Sequence, residues 1–244
     1  MSRTWVVGDL HGCGEELAAL LERLELRAGD RFLSCGDLFH RGPDPLGVVE
    51  LLQGLSGRGV ELGLVLGNHE RVLLQRFGLA GEALDGSDGG RLGPEVEEIG
   101  PEDLRGDGRT PMENVPPARG PELLRFLEKR PYVLHGPLGG RHWILVHAGI
   151  VPGLPLERTR PAQLLRLRRL RELPGAPYWY EIYEGPNLVL FGHTPSEVPR
   201  TRHAGGHLVA LGLDTGCVYG GRLSAWCLEE EELVQVEASR AWVS

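Results

Sequence analysis

Trp5-Val6-Val7-Gly8-Asp9-Leu10-His11-Gly12 opens the chain with a short apolar run, a glycine, and then an aspartate and a histidine. The same order recurs along the sequence. Arg31-Phe32-Leu33-Ser34-Cys35 leads into Gly36-Asp37, and Leu62-Gly63-Leu64-Val65-Leu66 into Gly67-Asn68-His69-Glu70. Trp143-Ile144-Leu145-Val146 leads into His147-Ala148-Gly149, Leu188-Val189-Leu190-Phe191 into Gly192-His193-Thr194, and Val209-Ala210-Leu211-Gly212-Leu213 into Asp214-Thr215-Gly216. Short aliphatic runs bounded by glycine read as buried strands. Leu17, Leu20, Leu21 and Leu24 repeat at helical spacing, with Glu15 and Glu16 where a helix dipole favours acid, and Val48, Leu51, Leu52 and Leu55 repeat it after Pro43-Asp44-Pro45. Strand, helix, strand, helix, strand predicts a parallel sheet. Beyond residue 185 the strands crowd together and helical spacing fades, so the C-terminal part is expected to be β-rich. In α/β sheets, polar residues just past the carboxyl ends of the strands build the site.

Outward from these runs, the 244 residues fit one domain spanning 1–244. Residues 81–120 stand apart: rich in Gly, Pro, Asp and Glu and without periodicity, they read as a surface insertion, either a plain loop or a lid. Hydrophobic residues make up 41% and charged ones 25%, which excludes disorder, and no apolar stretch approaches the length of a membrane span. The net charge of −8 argues against a general nucleic-acid binder, so a phosphate substrate would need positive charge supplied locally. Lys129 is the only lysine, and it follows Glu128, which removes the Gly-Lys-Ser/Thr of a P-loop. No Gly-x-Ser-x-Gly elbow is present. Cys13, Cys35, Cys217 and Cys227 show no zinc-finger or Cys-x-x-Cys spacing and are expected to be free thiols. The N-terminal apolar run is too short for a secretory signal, so the expected compartment is the cytoplasm.

The strand ends gather Asp9, His11, Asp37, Asn68, His147 and His193. One aspartate after a strand is ordinarily a cap, and one histidine ordinarily a core residue. Six such residues at the same end of successive strands are not independent, and they predict a metal cluster. Carboxylate, amide and imidazole without thiolate suit Mn, Fe or Zn rather than Ca or an iron–sulfur centre. Six ligands are too many for one catalytic metal with an open position, and they suit two metals about 3.5–4 Å apart.

Gly8-Asp9-Leu10-His11-Gly12, Gly36-Asp37-Leu38-Phe39-His40-Arg41-Gly42, Gly67-Asn68-His69-Glu70, His147-Ala148-Gly149 and Gly192-His193 resemble the motif set of the phosphoprotein phosphatase family of metallophosphoesterases. Asp214-Thr215-Gly216-Cys217-Val218-Tyr219-Gly220-Gly221-Arg222-Leu223 resembles the C-terminal segment of its bacterial symmetrical dinucleoside tetraphosphatase branch. His40 stands where protein phosphatases carry an aspartate that pairs with the catalytic histidine. Thr194-Pro195 after His193 departs from the Gly-His-x-His ending of nuclease-type relatives. The resemblance implies a calcineurin-like α/β four-layer sandwich, two mixed β-sheets flanked by helices. It implies that Asp9 and His11 bind one metal, that Asp37 bridges, and that Asn68, His147 and His193 bind the second. Manganese is expected, with iron, zinc, cobalt and nickel as alternatives. His69 is then the general acid and Arg41 grips phosphate. A metal-bridged hydroxide would cleave a phosphoanhydride of a small nucleotide, diadenosine tetraphosphate giving two ADP. A protein serine/threonine phosphatase, which would act on a protein substrate, and a non-catalytic phosphate-binding protein are the alternatives.

Arg158, Arg160, Arg166, Arg168, Arg169 and Arg171 fall on a stretch expected to be helical, and Arg171 is the chosen second phosphate-binding residue. Tyr178, Trp179, Tyr180 and Tyr219 are expected in the core, and His135, His142, His203 and His207 as structural residues.

Overall fold

Strand β1 (Thr4–Val7) shows how the layers form, because its side chains alternate between two cores. Val6 packs with Leu33, Trp143, Leu145 and Leu190 between two sheets. Trp5 and Val7 turn the other way, onto Leu17, Leu20 and Leu52 of the helices. A strand buried on both faces in this manner must be apolar throughout, as this one is. The structure, a computed structural model, describes residues 2–79 and 115–243. Most of the expected insertion at 81–120 therefore lies outside the described residues.

The chain continues through α1 (Gly14–Leu24), β2 (Arg31–Ser34), α2 (Pro45–Gly57), β3 (Glu61–Leu64) and α3 (Asn68–Arg76). Asp44 caps α2, its Oδ1 accepting from Gly47 N at 2.8 Å, and Pro45 fills the first helical position. After α4 (Gly120–Glu128) come β4 (Val133–Leu138), β5 (Arg141–Val146) and the short α5 (Pro161–Arg166). Then follow β6 (Leu188–Phe191), β7 (Arg200–Ala204), β8 (His207–Gly212), β9 (Arg222–Cys227) and β10 (Glu232–Glu237).

One sheet runs β10-β9-β1-β2-β3 and the other β4-β5-β6-β8-β7. β1, β2 and β3 are parallel, as the alternation of strands and helices required, and β9 and β10 join antiparallel to the edge of β1. In the second sheet β5, β6 and β8 are parallel, with β4 and β7 antiparallel at the two edges. The outer face of the second sheet meets Leu164, Leu167, Trp179 and Tyr180. Both sheets are thus mixed and covered, which is the expected four-layer arrangement. Among the described residues no helix is long and apolar enough to cross a membrane.

The arginine stretch corrects the sequence expectation. It is not one helix: a 3-10 turn covers Leu156–Arg158, α5 stops at Arg166, and residues 168–170 run extended against 177–179. Leu170 N donates to Pro177 O and Trp179 N to Arg168 O, at 2.9 and 3.0 Å. The Pro174-Gly175 turn reverses the chain, and burying Trp179 holds the return strand in place.

Candidate metal centre and substrate cleft

The carboxyl ends of β1, β2, β5 and β6 and the start of α3 open onto one point. The loops leave their strands sharply. His11, Asp37, Arg41 and His193 all have left-handed backbone, with φ of 45°, 49°, 88° and 64°. Such conformations cost of order 1–3 kcal/mol each and persist where surrounding contacts hold them. Here those contacts are visible. Glu70, buried in the first turn of α3, accepts from Asp37 N and Leu38 N at 2.8 Å and from Gly67 N at 3.0 Å. Asp37 Oδ1 in turn accepts from His69 N at 3.1 Å. Asp9 accepts from His193 N, joining residues 184 apart in the chain. Gly192 has to be glycine, because a Cβ there would overlap the Asp9 carboxylate.

Hydrogen bonds to carbonyls fix how the imidazoles face. His11 Nδ1 lies 2.9 Å from His40 O, and His147 Nδ1 lies 2.8 Å from Cys35 O. A carbonyl only accepts, so both rings carry their proton on Nδ1 and leave a bare lone pair on Nε2. Those Nε2 atoms turn inward. His11 Nε2 is 3.6 Å from Asp37 Oδ2, and His147 Nε2 is 3.5 Å from the same oxygen. His147 Nε2 is also 2.9 Å from Asn68 Oδ1 and 3.1 Å from His193 Nδ1. The ligand atoms of Asp9, His11 and Asp37 form one group within 4.8 Å, and those of Asp37, His147 and His193 form another, with Asp37 common to both. Two ligands at about 2.1 Å from one ion lie about 3.0–3.4 Å apart.

Electrostatics points the same way. Burial pushes His147 down to about 4 and drives His11, His69 and His193 well below the ordinary imidazole value, so each ring by itself resists the charged form. Burial raises Asp37 to about 7 and lifts Asp9 well above the usual carboxylate range, with Asp214 and Asp37 adding repulsion on Asp9. Converging carboxylates and bare imidazole lone pairs, each resisting charge when alone, are the donor set that a divalent cation satisfies. The residues present therefore fit two divalent ions.

A cleft of about 510 Å³ spreads from this point. Arg41, Arg166, Arg168, Arg169 and Arg171 line it, together with Tyr178, Tyr219 and Asp214. Arg41 donates to the Tyr219 hydroxyl, and Arg168 donates to His193 O at 2.8 Å. Arg169 lies 3.8 Å over the Tyr178 ring. The six expected ligands, His69, Arg41 and Arg171 all meet here, whereas Arg158 and Arg160 do not line the cleft. Tyr178 and Tyr219 leave the core expected for them and line the cleft, while Trp179 and Tyr180 are buried. His135, His142, His203 and His207 sit exposed, away from the centre. Sequence reasoning missed Glu70, Asp214 and the Arg168 contact. Asp214 follows a strand like the other aspartates and was legible by that signal; the backbone acceptor role of Glu70 was not.

A calcineurin-like phosphoesterase model matches residues 2–227, and the chain belongs to that family, which works with divalent metals. Among similar proteins is the asymmetrical bis(5'-nucleosyl)-tetraphosphatase PrpE of Oceanobacillus iheyensis, 27% identical over 98% of this chain and 94% of its own length. The symmetrical bis(5'-nucleosyl)-tetraphosphatase of Cellvibrio japonicus is 28% identical over 95% of this chain and 97% of its own length. A solved structure provisionally assigned as a diadenosine tetraphosphatase is 27% identical, covers 97% of this chain and 94% of its own, and superposes with a TM-score of 0.71.

Proposed function

We propose that the chain hydrolyses a phosphoanhydride bond of dinucleoside polyphosphates, with diadenosine tetraphosphate giving two ADP, and that residues 1–244 act as one catalytic unit. One observation carries this reading. Arg41 is not the cleft's only cation: Arg166, Arg168, Arg169 and Arg171 line it too. Several planar guanidinium groups around one cleft suit a chain of phosphates, whereas a lone phosphoester needs fewer. The volume of about 510 Å³ falls in the range of small-molecule sites. The relatives' names support the substrate class and include both cleavage positions.

Asp9, His11 and Asp37 would hold one divalent ion, and Asp37, Asn68, His147 and His193 the other; manganese suits this oxygen and nitrogen set, with iron, zinc, cobalt and nickel as alternatives. Bound there, the pair supplies a nucleophile at neutral pH and neutralises charge developing on the phosphate. The chain's own residues do the rest. Arg41, braced by Tyr219, grips oxygens of the attacked phosphate. His69, with Nε2 3.8 Å from Asp37 Oδ2 and its ring lining the cleft, takes up a proton when the polyanionic substrate is bound and, as the imidazolium, gives its Nε2 proton to the leaving oxygen. Arg171 holds a distal phosphate. A protein serine/threonine phosphatase is the second reading, and it predicts faster turnover of phosphopeptides. The test is a panel of diadenosine tetraphosphate, phosphopeptides and p-nitrophenyl phosphate with the products separated. ADP as sole product and a higher kcat/KM than for any peptide are expected. AMP plus ATP would move the cut to the asymmetrical position, and faster peptide turnover would overturn the substrate class.

A further inference from the structure

Behind His69, on the side away from the cleft, lies His40. The two Nδ1 atoms are 2.7 Å apart, with ring centroids 4.6 Å apart and planes tilted by 31°. Both residues are buried. Among the described residues the His69 ring makes one hydrogen bond, this one. Phe39, Pro45, Leu73, Val115 and Leu123 line the space beside the pair together with Glu70, whose oxygens are taken by backbone N–H groups.

We propose that His40 is a positioning residue for His69: its Nδ1 accepts the His69 Nδ1–H and so holds the His69 Nε2 toward the leaving oxygen. This rests on the reading of His69 as general acid. One proton occupies a bond between two imidazole nitrogens, so one ring donates and the other accepts. A His69 that gives its Nε2 proton to the leaving oxygen becomes neutral and must keep the proton on Nδ1. His40 then accepts at Nδ1 and carries its own proton on Nε2. The same bond serves before and after transfer, and only the Nε2 proton moves. An aspartate here would hold the ring equally well but would add a further buried negative charge beside Asp9, Asp37 and Asp214. A neutral imidazole orients His69 without that charge. The His40 backbone carbonyl orients His11 separately, and a side-chain substitution leaves it in place.

The test uses His40→Asn, His40→Asp and His40→Leu in the full chain. Asn Oδ1 and Asp Oδ1 lie two bonds beyond Cβ, as His Nδ1 does, and they accept; leucine cannot. Losing a partner that orients an imidazole typically costs about 10–100-fold. His40→Leu is expected to lower kcat on diadenosine tetraphosphate by about that factor, with KM and bound metal unchanged and with a smaller loss on p-nitrophenyl phosphate. His40→Asn and His40→Asp should recover most of it. Independently of activity, nitrogen NMR of the metal-free protein should find the His69 proton on Nδ1 in the wild type and in His40→Asn, and on Nε2 in His40→Leu. If His69→Asn is crippled and His40→Leu keeps full kcat, the positioning role is wrong while the acid stands. If His69→Asn itself keeps full kcat, the acid reading falls first. Should His40→Leu not fold, the wild-type tautomer decides: a His69 protonated on Nε2 alone overturns the proposal.

Discussion

Replacing Glu70 by glutamine should loosen the loop that carries Asp37 without altering any side chain that lines the cleft. The carboxylate holds three backbone donors: Oε2 takes Asp37 N at 2.8 Å and Gly67 N at 3.0 Å, and Oε1 takes Leu38 N at 2.8 Å. Glutamine offers one oxygen and one NH₂. In its better orientation the oxygen keeps Asp37 and Gly67, and the NH₂ faces the Leu38 N–H, donor against donor. One buried donor is orphaned, which costs about 1–3 kcal/mol. Alanine orphans three, and allowing for non-additivity the cost is about 3–6 kcal/mol. For a chain of this size about 1–3 kcal/mol corresponds to a Tm lower by roughly 2–12 °C. The measurement is urea denaturation of the metal-free protein at pH 8, where Glu70, pushed to about 7 by burial and then by Asp37, is ionised. The slope should stay constant and the midpoint fall, further for alanine than for glutamine. A Glu70→Gln midpoint equivalent to less than about 0.5 kcal/mol of change, the range of an indifferent surface substitution, would refute the backbone-acceptor account.

Gly192→Ala drives a methyl group into the Asp9 carboxylate and should strip metal from the centre while leaving far-UV circular dichroism unchanged; full metal content by elemental analysis would contradict the contact. Asp37→Asn should lower the bound-metal count further than Asp9→Asn, because Asp37 belongs to both ligand groups, and equal losses in the two variants would remove its bridging role. Burial holds Asp37 at about 7 and also raises Asp9, so an ion binding below pH 7 expels at least one proton: apparent affinity should fall at least about tenfold per pH unit below 7. His147, at about 4, is already neutral across that range and contributes no such slope; calorimetry in buffers of unlike ionisation enthalpy at pH 6 counts the proton, and a count of zero defeats the argument. Arg171→Ala should raise KM for diadenosine tetraphosphate about 10–100-fold, the worth of a charged hydrogen bond, and leave KM for p-nitrophenyl phosphate nearly unchanged. An equal rise for both substrates would mean that Arg171 contacts the attacked phosphate.

The layers were legible because the candidate ligands follow short, mostly apolar runs. Trp5-Val6-Val7 could lie only in a covered sheet, and Asp9 then had to emerge at its end. Register within the second sheet was beyond such reasoning, since β8 enters between β6 and β7 through pairings that no local pattern encodes. The arginine stretch misled for a definable reason. Leu164, Leu167 and Leu170 recur every third residue and mimic a helix, yet Leu167 and Leu170 are buried from extended backbone. Helical period and strand-with-turn are hard to separate over seven residues when Pro174-Gly175 and a large tryptophan settle the outcome from downstream. His40 illustrates the opposite limit: its departure from the aspartate of protein phosphatases was visible at once, but that an imidazole still meets His69 there was visible only in three dimensions.

The first sheet takes β1, β2 and β3 from the beginning of the chain and β9 and β10 from its end, and the second sheet is built in between. A ribosome releases β1 long before β9, the antiparallel neighbour of β1, exists. Until Arg222–Cys227 has emerged, one edge of β1 has no partner from this sheet, and Asp9 waits for His193, 184 positions later. Closure of so long a loop is slow and is rewarded only at the end. Half-made chains therefore hold scattered aspartates and histidines rather than a weak hydrolase. Catalytic competence arrives in one step, when the last hairpin zips onto the first strand, and turnover during refolding should lag behind secondary structure and coincide with the burial of Trp5.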